Sequence, residues 1–172
     1  MTITAQDTRK QTLLDAAEAK FGFVPNVLKQ MGDSPAALEV YLTGQKALGH
    51  EDNRLTDEQR NFVQLATSEQ NGCNYCVAAH KGIGKMQGSD SAHLDAIAKG
   101  ETIAEADGGA YVDATRLLME KKGFLDGQDL ARLEAQGIDR EAIYEIVASI
   151  AVKQVSNWVN HIAKTKVDAQ FS

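Results

Sequence analysis

Residues 55–80 read LTDEQRNFVQLATSEQNGCNYCVAAH. Thr56 and Gln59 stand at the spacing of a capping box, in which two side chains satisfy backbone N–H groups at a helix start. Phe62, Leu65 and Ala66 then recur at helical spacing. Asn71–Gly72 marks a break in that helix. Cys73 and Cys76 follow, with His80 four residues further on. On a helix advancing about 100° per residue, Cys73, Cys76 and His80 fall within a stripe roughly 60° wide. Glu69, one turn upstream of Cys73, extends that stripe if the helix is continuous.

Working outward, the chain reads as helices separated by turns, and the expected fold class is all-α. Aromatic residues are 6% of the chain. Only Val24-Pro25-Asn26 and Val152–Val155 hint at strands, and neither alternates for long. About eight helices are expected. The first covers roughly 8–20, with Leu13, Leu14 and Ala17 on one face. Pro25 makes the following FGFVPN segment extended. Ser34 caps a second helix from Pro35 to about Leu48, with proline at the first helical position. The third starts after Thr56, and the fourth holds the cysteines and ends near Gly88. Three more cover roughly 91–99, 109–122 and 128–136, each followed closely by a glycine or a capping residue. Asp139 caps the last, whose apolar stripe is Ile143, Ile146, Val147, Ile150, Val155, Val159 and Ile162. At roughly 25 residues it is long for a globular domain, which points to a partner surface beyond its own subunit.

The 172 residues suit a single domain, 1–172. GETIAEADGG, residues 100–109, is the one stretch suited to a hinge between two halves. The formal net charge is -6, and Arg9–Lys10 and Lys121–Lys122 are the only adjacent basic pairs, which argues against nucleic acid as a partner. No apolar run is long enough to span a membrane. The N-terminus lacks the apolar core of a secretory signal, so a cytoplasmic location is expected.

The two cysteines cannot form a disulfide scaffold for a domain of this size. A bridge across so short a loop would restrict the unfolded chain little. A helix start lowers a thiol's pKa from about 8.5, a histidine one turn on accepts its proton, and a second cysteine resolves the oxidised first. Three other readings stand beside redox chemistry. Haem attachment requires histidine directly after the second cysteine, where Val77 stands. Zinc could use Cys73, Cys76 and His80, with Glu69 as the fourth ligand in the absence of a second CxxC pair. The two thiols could also be buried structural residues beside a satisfied histidine. No metal and no cofactor are expected. His50, His93 and His161 fit surface or core positions better than a site.

LATSEQNGCNYCVAAH resembles the core motif of the alkylhydroperoxidase D (AhpD) / carboxymuconolactone decarboxylase family. The FGFVPNVLKQMGDSPAALEVYL, LTDEQRNFVQLA and IDREAIYEIVASIAVKQVSNWVNHIA segments fit its layout. The resemblance implies an AhpD-like helical bundle assembled as a homo-oligomer, a trimer or hexamer. It implies a thiol-dependent peroxidase that reduces a hydroperoxide and is re-reduced by a thiol or dithiol carrier. It assigns Cys76 as the peroxidatic nucleophile, Cys73 as the resolving cysteine and His80 to the proton relay. The decarboxylase branch usually lacks the cysteine pair. Two positions depart from the pattern. Asn61 stands where the relay has a glutamate, twelve positions before Cys73, and Tyr75 stands where a histidine is usual. Glu69 is the expected substitute carboxylate, and Tyr75 a candidate hydrogen-bond donor at the site. The alternatives are a redox-responsive oligomer of this fold with little turnover, or a decarboxylase-like enzyme.

Overall fold

The computed structural model describes residues 4–104 and 108–171. Among the described residues there are nine α-helices, a terminal 3-10 turn at Ala169–Phe171 and no strand. In chain order the helices are α1 (Ala5–Phe21), α2 (Asn26–Met31), α3 (Pro35–Leu48), α4 (Asp57–Gln70) and α5 (Asn74–Gln87). They continue with α6 (Ser91–Ala98), α7 (Gly109–Lys121), α8 (Gly127–Ala135) and α9 (Arg140–Ala163). No helix among the described residues is long and apolar enough to cross a membrane.

Local chemistry sets most of these boundaries. Thr56 accepts from Gln59 N while the Gln59 side chain accepts from Thr56 N, which is the expected capping box. Ser34 accepts from Ala37 N, and Asp139 accepts from Ala142 N. Two expectations are corrected. α1 begins earlier than residue 8, because Thr4 and Asp7 form a capping box of their own. The ninth helix is α2. Pro25 keeps the preceding residue out of the helix, but its own carbonyl accepts from Leu28 N and Lys29 N and so starts one. α2 then buries Val27, Leu28 and Met31.

α4 is the central element. Every residue from Asn61 to Ser68 is buried, and α5, α6, α7 and α9 pack around it. Phe62, Leu65 and Ala66 meet Leu94, Ile97 and Val112 on one side. Val63 belongs to a second cluster with Leu118, Leu133, Ile143 and Ile146. Truncating a side chain as enclosed as Phe62 costs roughly 3–5 kcal/mol. Gly84 lets α5 come this close: a Cβ there would stand 2.6 Å from Leu94 Cδ2 and 2.8 Å from Asn61 Nδ2. Of the candidate hinge, residues 105–107 lie outside the described residues. The helices that flank it, α6 and α7, both pack on α4.

α9 departs most from the expected pattern. Its first half buries Ala142, Ile143 and Ile146, as the apolar stripe requires. From Ser149 onward it buries Ser149, Lys153, Ser156, Asn157 and Asn160 instead. Val147 and Ile162 of the expected stripe are exposed, together with Tyr144 and Trp158.

Candidate active site

The cysteines sit at the junction of α4 and α5. α4 ends at Asn71, and Gly72 takes a positive φ of 65°. Cys73 N then donates back to Ser68 O at 2.9 Å, so the chain turns sharply. Cys73 is the N-cap of α5 and Cys76 lies in its first turn. Both are free thiols, each 1% exposed. α1, α2 and α3 wall them with Ala17, Val27, Leu28, Met31 and Leu38. Tyr75 and Phe171 join this cluster, and α9 adds Val155 and Val159 together with a polar set. Asn160 Nδ2 lies 3.1 Å from Cys76 Sγ and 3.8 Å from Cys73 Sγ, so one amide spans both sulfurs. Ser156 Oγ lies 3.9 Å from Cys76 Sγ.

α4 and α9 hold each other's amides in place. Asn71 Nδ2 donates to Asn157 Oδ1 at 2.8 Å, and Asn157 Nδ2 donates to Ser68 Oγ at 3.4 Å. Lys153, on the same buried face of α9, is 3% exposed. Such burial of an ammonium is costly unless other charges or hydrogen bonds compensate it.

The two thiols are driven apart in acidity. Cys76 is held down to about 5, foremost by the hydrogen bond from Cys73, then by the Lys153 charge and the Asn157 and Asn160 amides, against the opposing effect of burial. Cys73 is pushed up, foremost because it donates to Cys76, and further by burial and by the Cys76 charge. Cys76 is therefore the thiolate at neutral pH and Cys73 the thiol that donates to it. Lys153 keeps its charge: burial disfavours the ammonium, but Cys76, Tyr41 and Cys73 together raise its pKa above the ordinary lysine value.

His80 is buried, and burial, followed by the Lys153 charge, holds its pKa well below 6.5. The imidazole is neutral, and its tautomer follows from Asn61. Asn61 Nδ2 donates to the His80 carbonyl at 3.1 Å, which leaves Asn61 Oδ1 facing His80 Nδ1 at 2.7 Å. An amide oxygen only accepts, so Nδ1 carries the hydrogen and Nε2 presents a lone pair. Asn61 is thus the side chain that orients His80.

The other expected site residues direct their hydrogen bonds away from the sulfurs, although Tyr75 is buried in the same cluster as Cys73 and Cys76. Glu69 is the penultimate residue of α4, and the turn after it breaks the continuous stripe. Its carboxylate accepts from Gln70 Nε2 at 2.9 Å and faces Gly100, where a Cβ would stand 3.1 Å from Glu69 Oε1. Tyr75 donates through its hydroxyl to Asp168 and accepts from Val27 N at 3.3 Å. Burial, then the Asp168 hydrogen bond, raise its pKa, so the phenol stays protonated. Asp168 also accepts from Asn26 N at 3.1 Å, so Tyr75 ties the C-terminal tail to α2. His50 and His161 are exposed. Among the described residues no cluster of three or more His, Cys, Asp or Glu could hold a metal ion.

Sequence reasoning missed Lys153, Ser156, Asn157, Asn160 and Asp168. The first four recur at i, i+3, i+4 and i+7, one helical face. That polar face inside an apolar helix was the available signal.

The fold and this site define a class: an all-helical protein with a buried CxxC pair at a helix start and an imidazole one turn on. Residues 35–119, just under half of the chain, match the carboxymuconolactone decarboxylase family model. The matched segment holds Cys73, Cys76 and His80 but ends before α9. A solved alkylhydroperoxidase AhpD core, an uncharacterized peroxidase-related protein from Ralstonia eutropha, is 24% identical with a TM-score of 0.83. That match covers 99% of this chain and 93% of the other. A peroxidase-related protein from a Silicibacter species is 18% identical with a TM-score of 0.80, covering 98% and 89%. The debrominase Bmp8 is 20% identical with a TM-score of 0.74, covering 98% and 91%. At these identities the likeness establishes the AhpD-like fold alone. No curated protein matches the chain.

Proposed function

We propose that the protein is a two-cysteine hydroperoxide reductase, re-reduced by an external thiol or dithiol. The observation that carries this reading is the single Asn160 amide lying against both sulfurs, the thiolate of Cys76 and the thiol of Cys73. The Cys76 thiolate attacks the terminal oxygen of the hydroperoxide. An S–O bond forms, the O–O bond breaks, Cys76 becomes a sulfenic acid, and an alkoxide leaves that needs one proton. The Cys73 sulfur then attacks the Cys76 sulfur. An S–S bond forms, the S–O bond breaks, and hydroxide leaves as water with the Cys73 proton. Neutral His80, with Nε2 as acceptor, serves to pass that proton. Glu69 and Tyr75 take no step, because their hydrogen bonds go to Gln70 and Asp168.

Intact mass with thiol counting, before and after an organic hydroperoxide, tests this. The wild type is expected to lose two thiols and two mass units per chain. Cys76→Ser is expected to keep its thiol, and Cys73→Ser to stop at a sulfenic acid or mixed disulfide on Cys76. Oxidation of Cys73 first in this pair of variants overturns the assignment.

A redox-responsive oligomer with little turnover is the second reading, favoured by the burial of both sulfurs at 1% exposure. A bulky reductant reaches such sulfurs only if the cover opens. Turnover with a dithiol donor separates the two readings. Assembly into a trimer or hexamer belongs to both, supported by Tyr144, Val147, Trp158 and Ile162 standing exposed along α9. Light scattering is expected to give three or six times the 18.6 kDa chain mass, and a monomer excludes it.

A further inference from the structure

Lys153 is where the site departs from a cysteine–histidine–carboxylate arrangement. It is 3% exposed, yet none of the ion pairs among the described residues involves it. It lies on the buried face of α9 that places Ser156 Oγ 3.9 Å and Asn160 Nδ2 3.1 Å from Cys76 Sγ, and the groups that favour its charge are Cys76, Tyr41 and Cys73. Tyr41 arrives from α3, which crosses α9 closely: a Cβ on Gly44 would stand 2.5 Å from Val152 Cγ2. On α5, His80 feels the Lys153 charge and is neutral. The remaining helices packed on α9 are α2, α4 and α7, and they bury no titratable side chain. Among the described residues the Cys76 thiolate is thus the first of the charges that favour the ammonium, and the buried Asp168 carboxylate is engaged by Tyr75 and Asn26 N.

That charge disappears on oxidation, because a disulfide is neutral. An ammonium left in this enclosure would keep its desolvation cost without its counter-charge, and buried lysines deprotonate readily in that situation. We propose that Lys153 is the proton reservoir of the cysteine pair, charged while Cys76 is a thiolate and giving up its proton when the disulfide forms. This rests on the thiol-redox reading of the pair but not on peroxide as the oxidant. With a hydroperoxide, the thiolate, the thiol, the ammonium and ROOH become the disulfide, a neutral lysine, ROH and water. Atoms and charge balance, and the Lys153 proton is the one the alkoxide needs. With a diazenedicarboxamide oxidant, the same two protons, from Cys73 and Lys153, reduce N=N to HN–NH. Lys153 also takes the charged role that neither Asn61 nor neutral His80 fills.

The test counts protons. The reduced, full-length protein is mixed with the diazenedicarboxamide, and separately with an organic hydroperoxide, in weak buffer with an indicator dye at about pH 8. Thiolate absorbance in the ultraviolet is followed at the same time. The expected result is loss of one thiolate per disulfide with essentially no proton exchanged with solution. Uptake of one proton per disulfide means that Lys153 stays charged, and overturns the proposal. Absence of a thiolate signal in the reduced protein overturns it as well. In Lys153→Arg the guanidinium keeps the charge but cannot deprotonate. That variant is expected to keep the thiolate and take up one proton per disulfide; retained thiolate with no uptake assigns the proton to another group and overturns the proposal. Should the variant not fold, the wild-type count still decides. If the hydroperoxide arm alone gives no reaction, the peroxidase reading fails while the diazenedicarboxamide arm still tests Lys153.

Discussion

His80 Nδ1 lies 2.7 Å from Asn61 Oδ1, and the same asparagine donates to the His80 carbonyl. One neutral side chain thus fixes the position and the tautomer of a buried neutral imidazole. A carboxylate at position 61 would instead favour the charged ring. Asn61→Asp is therefore expected to raise the His80 pKa from its depressed position, measured by NMR titration of the imidazole. An unchanged His80 titration would sink the claim that Asn61 controls its charge state.

The acidity of Cys76 sets a pH window. Its alkylation rate is expected to rise through a midpoint of about 5 and stay flat across neutral pH. His80→Ala is expected to leave that midpoint in place, because the ring carries no charge to lend. A folded-state pKa below the unfolded value of about 8.5 adds stability that is fully present above 8.5. That contribution is lost as pH falls toward the folded-state value. Chemical denaturation between these limits should show stability from this group declining on acidification. An alkylation midpoint near that of a free thiol refutes the thiolate assignment.

Asn160 and Glu69 make a contrasting pair. Asn160 Nδ2 donates to Cys76 Sγ at 3.1 Å. A hydrogen bond to a charged group is worth about 1.5–3 kcal/mol, so Asn160→Ala should raise the Cys76 midpoint by roughly one to two pH units. Glu69→Gln should leave both the midpoint and the oxidation rate at wild-type values. Stopped-flow oxidation and alkylation profiles of the two variants check this, and a slow Glu69→Gln would return the carboxylate to the relay.

Tyr75 acts on the fold. Tyr75→Phe removes the hydroxyl that joins Asp168 to Val27 N, and should cost about 1–3 kcal/mol in urea unfolding. The Cys76 alkylation profile should not move. A variant that unfolds like the wild type but reacts with hydroperoxide more slowly would make Tyr75 part of the chemistry instead.

What the sequence alone determined is the local part. Capping residues such as Thr56, Ser34 and Asp139 terminate helices through bonds to residues two to four positions away, so most helix limits and the helical class were legible without coordinates. So was the placing of Cys73, Cys76 and His80 on one helix, whereas position 61 was read only as a missing carboxylate whose role passed to Glu69. α2 was not legible, because a proline that ends one helical reading can also begin the next. Only the tertiary structure decided the charge of the site. Asn160 and Cys76 are 84 residues apart, and no periodicity within either helix says that they touch. The turn at Gly72 removed Glu69 from the stripe that a continuous helix would have extended. The packing of α9 against α3 and α5 supplied Lys153 in its place. Burial then completed the assignment: it keeps His80 neutral and makes the Lys153 ammonium depend on the thiolate beside it. Enclosure of this kind is a property of the assembled helices and not of any one segment.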